Sequence, residues 1–287
     1  MPILSVIMGV YYRKDDLQPL RRSVESILAQ AMVDLELIIC DDGSTEEAQK
    51  CIDTYASRDS RIVIVRGIYS YRLPEKLNAC LRLATGKWIG RMDDDDISHP
   101  ERFQKQIGYL EGHPDINFVG CNVNLIQNEK IIGKKMFPEF PTVKDFYFVQ
   151  PFIHPTLVFQ KSILDAVNGY SEDRYCVLCE DYDLLLRLYA HGYRGANLQD
   201  TLFDYTISNT AKGSRKMSHR INEVVTRYRR FRDLKCLPHA LPYGIMPSVV
   251  GIMKGYARNE CPAIKENIIY YMGNFYTFQF GSVFRGR

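Results

Sequence analysis

The chain is 287 residues long with 46% apolar and 25% charged residues, which excludes a disordered polymer and fits one large globular domain with an appendage. Its 37 lysines and arginines face 34 acids, and the net charge of +3 is too balanced for recognition of nucleic acid through bulk electrostatics. No stretch is long and apolar enough to span a bilayer, and Met1-Pro2-Ile3-Leu4-Ser5-Val6-Ile7 lacks the basic region of a signal peptide, so a cytoplasmic protein is expected.

From Ile3 to Gly133 short β-branched runs alternate with helical patterns, the rhythm of βαβ units and a mainly parallel sheet. Strands are expected at 4–8, 35–40, 62–65, 87–92 and 117–121. Between them, 16–30 sets Leu17, Leu20, Val24, Ile27 and Leu28 on one helical stripe, and 75–85 reads as a helix ended by Gly86. Beyond Pro138 prolines and aromatics dominate, with a helix at 180–191 closed by Gly192. Residues 214–232 are helical and strongly basic through Arg215, Lys216, Arg220, Arg227, Arg229, Arg230 and Arg232, and an aromatic-rich stretch follows. The 8 cysteines (Cys40, Cys51, Cys80, Cys121, Cys176, Cys179, Cys236, Cys261) are scattered, as small hydrophobes in a reducing setting would be. Cys176 and Cys179 make a CxxC, but no second pair follows at zinc-finger spacing.

Arg91-Met92-Asp93-Asp94-Asp95-Asp96 is the sharpest chemical feature, because it follows a strand whose end faces the crevice where open α/β sheets bind ligands. Adjacent carboxylates repel unless a cation compensates. Hard oxygens suit magnesium or manganese, with substrate phosphates completing the shell. The competing reading is a solvated acidic turn capping the helix near Pro100. An EF-hand is excluded, since Ile97 and Ser98 fall where that loop needs a ligand and a glycine. Asp41-Asp42-Gly43-Ser44 ends another strand on the same sheet edge. Its carboxylates can accept from a base N–H or ribose hydroxyls, while Ser44 or Thr45 can cap the next helix beyond a Gly43 turn. Glu180-Asp181-Tyr182-Asp183 opens a helix, where capping alone accounts for acids; a base there would need burial or neighbouring carboxylates to gain basicity.

Taken in order with Ser5-Val6-Ile7-Met8-Gly9-Val10-Tyr11-Tyr12, Leu77-Asn78, Ala84-Thr85-Gly86 and Pro100-Glu101-Arg102-Phe103, these segments resemble family 2 glycosyltransferases over about residues 2–207. The resemblance implies a GT-A fold: an α/β, Rossmann-like, mostly parallel sheet flanked by helices, here with a helical C-terminal extension. It implies an inverting enzyme that moves a sugar from a nucleotide-diphosphate donor, most often uridine-linked, to a hydroxyl of a glycan or lipid-linked saccharide, in cell-surface polysaccharide synthesis of the O-antigen type. Val10, Tyr12, Asp42 and Asn78 would hold the nucleotide, with Asp42 facing the base. Asp93 and Asp95 resemble the outer members of a DxD motif. Asp95 would bind Mn2+ or Mg2+ directly with Asp93 as a second ligand, and Asp93 or Asp94 would lie nearer ribose and sugar. Asp181 of the ED pair would be the catalytic base.

The implied organisation is a glycosyltransferase domain over 1–212, with a nucleotide-sugar-binding half at 1–133 and an acceptor-binding half at 134–212, followed by a basic and aromatic helical extension at 213–287. That extension would either lie on an anionic inner leaflet or pack as a subdomain against the core. The chain departs from the family in places. Gly9-Val10-Tyr11-Tyr12 stands where many relatives have Pro-Val-Tyr-Asn, Asp94 where they have a small residue, and Tyr205-Thr206-Ile207-Ser208 lacks the His of Tyr-Arg-x-His. A late basic group would then come from Arg215, Lys216 or His219. His154 of His154-Pro155-Thr156 matches a family pattern on the acceptor side, or is structural. The rival readings are a nucleotidyltransferase, which usually adds an early Gly-rich phosphate loop that this chain lacks, and a sugar-nucleotide-binding subunit without turnover.

Overall fold

The computed structural model describes residues 2–14, 16–31, 34–207 and 217–259, with side chains described as far as 249. In chain order the elements are β1 (Leu4–Val10), α1 (Gln18–Leu28), β2 (Leu35–Asp41), α2 (Glu46–Arg58), β3 (Ile62–Val65), α3 (Leu73–Leu83), β4 (Trp88–Arg91), β5 (Ile97–Ser98), α4 (Arg102–Gly112), β6 (Phe118–Gln127), β7 (Lys130–Lys135), β8 (Val158–Gln160), α5 (Lys161–Ala166), α6 (Glu180–Ala190), β9 (Gly195–Thr206), α7 (Met217–Asp233) and α8 (Leu237–Asn259).

The strands form one sheet in the order β3-β2-β1-β4-β8-β6-β9-β5, with β7 on β6. β3, β2, β1 and β4 are mutually parallel, and β6 and β9 are parallel to each other, while β8 runs antiparallel between the two sets. The strands at the centre read as near-continuous apolar runs because both faces are covered. In β1, Leu4, Val6, Met8 and Val10 pack with Leu20, Val24 and Ile27 of α1, Ile52 of α2 and Phe103 of α4. On the opposite face Ile7 packs with Leu77 and Cys80 of α3, Leu164 of α5, Leu185 of α6 and Phe231 of α7. Each fully buried leucine or phenylalanine contributes about 1.5–3 kcal/mol. The helical stripe expected in 16–30 is therefore what fastens α1 to the sheet.

Two expectations about helix ends change. Gly86 does not close α3: the helix ends at Leu83 with Ala84 as its C-cap, and Gly86 is needed for a close approach to β1, where a Cβ would lie 2.6 Å from the Ser5 N. Nor does the acidic run cap the helix near Pro100. The N-cap of α4 is Glu101, without a side-chain cap bond, and Asp96 instead accepts from the Thr206 N at 2.7 Å. Gly192 does follow α6 at φ +86°, as a helix-ending glycine should. Arg215, Lys216 and Cys261 lie outside the described residues, as does most of the aromatic stretch.

Gly195 opens β9 against the ring of Phe118, and a Cβ there would lie 2.1 Å from its Cε2. Phe118 is wedged by Phe152, Phe159 and Tyr189 and has nowhere to retreat. Gly195→Ala is expected to cost about 1–3 kcal/mol through overpacking, read as a lower urea midpoint with an unchanged slope.

Candidate active site

Parallel pairing brings the C-terminal ends of β1, β2 and β4 to one edge, and the loops that follow them are bonded to each other. Asp42 N donates to the Val10 O at 3.0 Å, Thr45 N to the Tyr12 O at 3.0 Å, and Tyr12 N to the Ser44 Oγ at 2.8 Å. Tyr12 is buried and its hydroxyl donates to the Asp16 O at 2.6 Å, so the first loop is fixed at both ends of that ring. Gly43 takes φ +86°, a conformation that favours glycine, and Thr45 caps α2 by accepting from the Ala48 N. Ser44 is thus a loop fastener, with Thr45 as the cap.

Asp42 is fully buried, and its carboxylate accepts from the backbone N–H groups of Ser70 (3.2 Å) and Tyr71. The covering segment includes Gly67, Tyr69 and Tyr71, all at positive φ, and the Tyr71 ring meets Tyr11 at 5.2 Å between centroids. Asn78 is engaged within the fold: its amide donates to the Tyr170 O and Glu172 Oε1 and accepts from the Tyr170 N, tying α3 to the loop after α5. These bonds give Asn78 a positioning part in the edge.

The acidic turn after β4 is held from several sides. Arg91, fully buried, pairs with Asp93 at 2.5 Å; Ser23 donates to the Asp93 O at 2.6 Å; Lys14 reaches Asp95 at 3.4 Å. From the end of β9, Thr206 donates its hydroxyl to the Asp95 O at 2.6 Å as well as its N–H to Asp96. Beneath lies Arg102, fully buried, donating to the carbonyls of Arg91 (3.0 Å) and Pro155 (2.9 Å), its pKa pulled down to about 10 by burial. Negative charge is in excess all the same. Burial and the repulsion of Asp95 and Asp93 push Asp94 up to about 7, and burial followed by Asp93 raises Asp95. A divalent cation would relieve this. Among the described residues no group of three or more His, Cys, Asp or Glu side chains forms a protein-only metal cage. The carboxylates of Asp93 and Asp95 would instead suit a hard ion that takes its remaining ligands from phosphate and water.

At the start of α6, Asp181 accepts from the Gln150 Nε2 at 3.0 Å and from the Tyr182 N at 2.7 Å. Burial, then the charge of Asp181, pushes Glu180 up to about 7, the gain in basicity that helix-end placement alone would oppose. Two tyrosines join this acid pair to the acidic turn. Tyr205 lies within electrostatic reach of Asp96, Asp93, Asp95 and Asp181, and Tyr170 within reach of Arg91, Asp181, Glu180 and Asp93; burial first and then the carboxylates raise both phenols, with Arg91 opposing the shift at Tyr170. His154 is buried with Nε2 2.8 Å from the Tyr170 hydroxyl, and burial, then Arg91, holds its pKa well below the ordinary value, so it stays neutral. Sequence reasoning missed Lys14, Lys76, Gln150, Tyr170, Tyr205 and Thr206. Only Tyr205 and Thr206 carried a signal, through a motif read for the His it lacks. Cys176 and Cys179 are buried free thiols.

The mostly parallel sheet flanked by helices, with the loops after β1, β2 and β4 gathered at one edge, is a GT-A-type arrangement. The chain belongs to glycosyl transferase family 2, whose family model matches residues 5–167. It is 35% identical over 276 residues to EpsE of Bacillus subtilis, named as a glycosyltransferase, covering 93% of this chain and 98% of that one. It is 31% identical over 250 residues to the O-antigen biosynthesis glycosyltransferase WbnJ of Escherichia coli, covering 83% and 95%. Among solved structures the fold is similar to S. aureus TarS 1–349 in complex with UDP-GlcNAc (TM-score 0.67, 15% identity, 96% of this chain and 80% of that one). It is also similar to the mannosyltransferase PcManGT of Pyrobaculum calidifontis with GDP-Man and Mn2+ (TM-score 0.60, 16% identity, 96% and 81%).

Because Glu180 is raised from 4.5 to about 7, it binds its proton more tightly in the folded than in the unfolded chain. Its protonated form favours folding below about pH 4.5, and that contribution is lost as pH rises to about 7. Glu180→Gln is therefore expected to be more stable than the parent at pH 8 by about 1–3 kcal/mol and to flatten the stability slope between pH 5 and 7 in urea titrations. An unchanged slope would show that Glu180 is solvated.

Proposed function

We propose that this glycosyltransferase is an inverting enzyme that takes a sugar from a nucleoside-diphosphate donor, UDP-linked in the first instance, to a hydroxyl of a glycan or lipid-linked saccharide in cell-surface polysaccharide synthesis. The observation that carries the reading is that Asp93, Asp95, Asp96 and Asp181, from segments far apart in sequence, all lie within electrostatic reach of the Tyr205 phenol, which supports a cation-binding pair and a base serving one site. The donor complexes of TarS and PcManGT and the O-antigen role in the name of WbnJ support donor type and pathway class.

Val10, Tyr12 and Asp42 hold the nucleoside end, and Asp93 and Asp94 approach ribose and donor sugar. Asp95, with Asp93, would hold Mn2+ or Mg2+, which when bound neutralises charge growing on the departing diphosphate. Lys14 adds a cation beside Asp95. Asp181, its carboxylate oriented by Gln150 and the Tyr182 N–H, takes the proton of the acceptor hydroxyl as that oxygen attacks the anomeric carbon. Attack from the face opposite the leaving group inverts the centre, and buried Tyr170 with half-buried Tyr205 limits the access of bulk water to the base.

The α7–α8 hairpin supports peripheral docking on the cytoplasmic face of an anionic membrane, where lipid-linked acceptors are anchored. No helix among the described residues is long and apolar enough to cross a membrane. Residues 217–259 carry 8 lysines and arginines against 2 acids, and Met217, Ile221, Tyr228, Leu241, Ile245 and Val249 are each 42–49% exposed. A cavity of about 290 Å³ between the helices is lined by Val224, Tyr228, Leu241 and Ile245, with Arg229 and Arg232 at its edge. Basic rims around apolar surface suit anionic headgroups.

Nucleoside-diphosphate release from a donor panel with Mn2+ and lipid-linked or oligosaccharide acceptors tests the reaction. Release from no donor would refute it. Asp181→Asn is expected to lower kcat by about 10³-fold or more while sparing donor affinity, and Asp95→Ala to weaken Mn2+-dependent donor binding. Retained transfer by Asp181→Asn would remove it as the base. In vesicle flotation the protein is expected to float with phosphatidylglycerol and not with phosphatidylcholine alone, and Ile245→Asp with Leu241→Asp to stay at the bottom.

A further inference from the structure

The β6–β7 hairpin carries an apolar and basic tip that the chemistry above does not use. Asn128 and Glu129, both at positive φ, turn β6 into β7 as a two-residue hairpin loop requires. β7 has β6 as its one neighbour among the described strands, so its far edge is open. Regular alternation would point Ile131 and Ile132 to opposite faces. A bulge breaks it: Leu125 pairs with Gly133 and Ile126 with Ile131, which leaves Ile132 as the extra residue. The two isoleucines are 62% and 54% exposed, and Met136 and Phe140 follow at 51% and 58%. Lys130, Lys134 and Lys135 stand among them, with no acid in residues 130–138. Glu129, the acid before them, pairs with Arg22 of α1 at 2.7 Å.

The tip is tied to the acidic turn. Ile126, just before the loop, pairs with Thr206 of β9, whose hydroxyl and N–H hold Asp95 and Asp96. Arg22 adjoins Ser23, which donates to the Asp93 O. At its other end β7 leads to Tyr147 and Phe148, which pack on Tyr243 of α8.

We infer that the β6–β7 tip is a second membrane contact, which seats the surface of an anionic bilayer beside the acidic turn. The inference rests on the membrane-docking reading above and adds to α7–α8 a contact next to the site. Another strand is a poor occupant of the open edge, because edge lysines and a bulge are what block strand addition. A second copy paired antiparallel about Ile132 and Gly133 would also set Lys130 against Lys135. An anionic surface suits both halves of the tip: the isoleucines and Met136 enter the headgroup boundary while the lysines meet lipid phosphate. Two weak contacts acting together give firmer attachment than either alone. One of them beside the acidic turn brings a lipid-linked acceptor within its reach.

The test places a reporter in the tip of the full chain by Ile132→Trp, since the one natural tryptophan, Trp88, is buried. With phosphatidylglycerol vesicles brominated in the acyl chains, the new emission is expected to shift to the blue and be quenched; with phosphatidylcholine vesicles it is expected to stay unchanged. Lys130→Glu with Lys134→Glu is expected to lower affinity for phosphatidylglycerol vesicles by about 10-fold or more. Its Tm and its transfer to a soluble oligosaccharide acceptor are expected to match the parent, while KM for a lipid-linked acceptor in vesicles rises. Flotation without quenching, or full vesicle affinity of the double variant, overturns the tip contact and leaves α7–α8 docking intact. A blue shift without vesicles that grows with protein concentration assigns the tip to a second copy and overturns it too. A parent that does not float refutes the membrane reading itself, and the tip contact with it.

Discussion

Carboxylates crowded at the end of β4 dominate this molecule. Burial raises the pKa of Asp94, Asp95 and Asp96, and the charge of Asp93 raises all three further. The fold answers with Arg91 and Arg102 beneath the turn, Lys14 in front and the end of β9 across it. That partial compensation leaves the turn ordered but still electronegative. A site of this kind would gain more from a divalent ion than a neutral one could, because the cation would meet fixed, partly desolvated carboxylates.

The long strand β9 ties that turn to the rest of the cleft. It is parallel to β6 and reaches β5 at its far end, so Thr206 meets the acidic turn while Tyr205 faces both that turn and Asp181. Chemistry contributed by residues far apart in sequence therefore shares one sheet. Arg187 and Arg230 secure the other side through Asp183, which anchors α6 to α7 while Asp181, near the start of the same helix, is oriented by Gln150. Of the neighbouring acids of α6, Asp183 is thus structural, which leaves Asp181 for the proposed chemistry.

The edge where β1, β2 and α3 meet follows different physics. There the charges are buried in near-balance, Asp42 under backbone N–H groups and Lys76 against the Tyr11 ring. Gly9, which departs from the pattern of many relatives, has a local reason: the absence of a side chain admits Leu73 and Lys76 of α3 against β1. A change in the first loop and a lysine in the third helix are one structural feature.

Much of this was legible in the sequence, because strand runs, helical stripes and acids at strand ends are local signals with a fixed period. They sufficed for β1 to β4, α1, α6 and the three acidic segments, and family resemblance gave those segments roles. What the sequence could not determine was partnership. Gly86 looked like a helix end and serves a close contact with Ser5; Asp96 looked like a cap and bonds Thr206, more than a hundred residues away. Glu180 required burial to become a weak acid, and Lys76 required the packing of α3 on β1 to lie beside Gly9 and the Tyr11 ring. Periodicity is written along the chain, whereas desolvation and charge pairing depend on what the folded sheet brings within a few ångströms, and only the tertiary structure decides that.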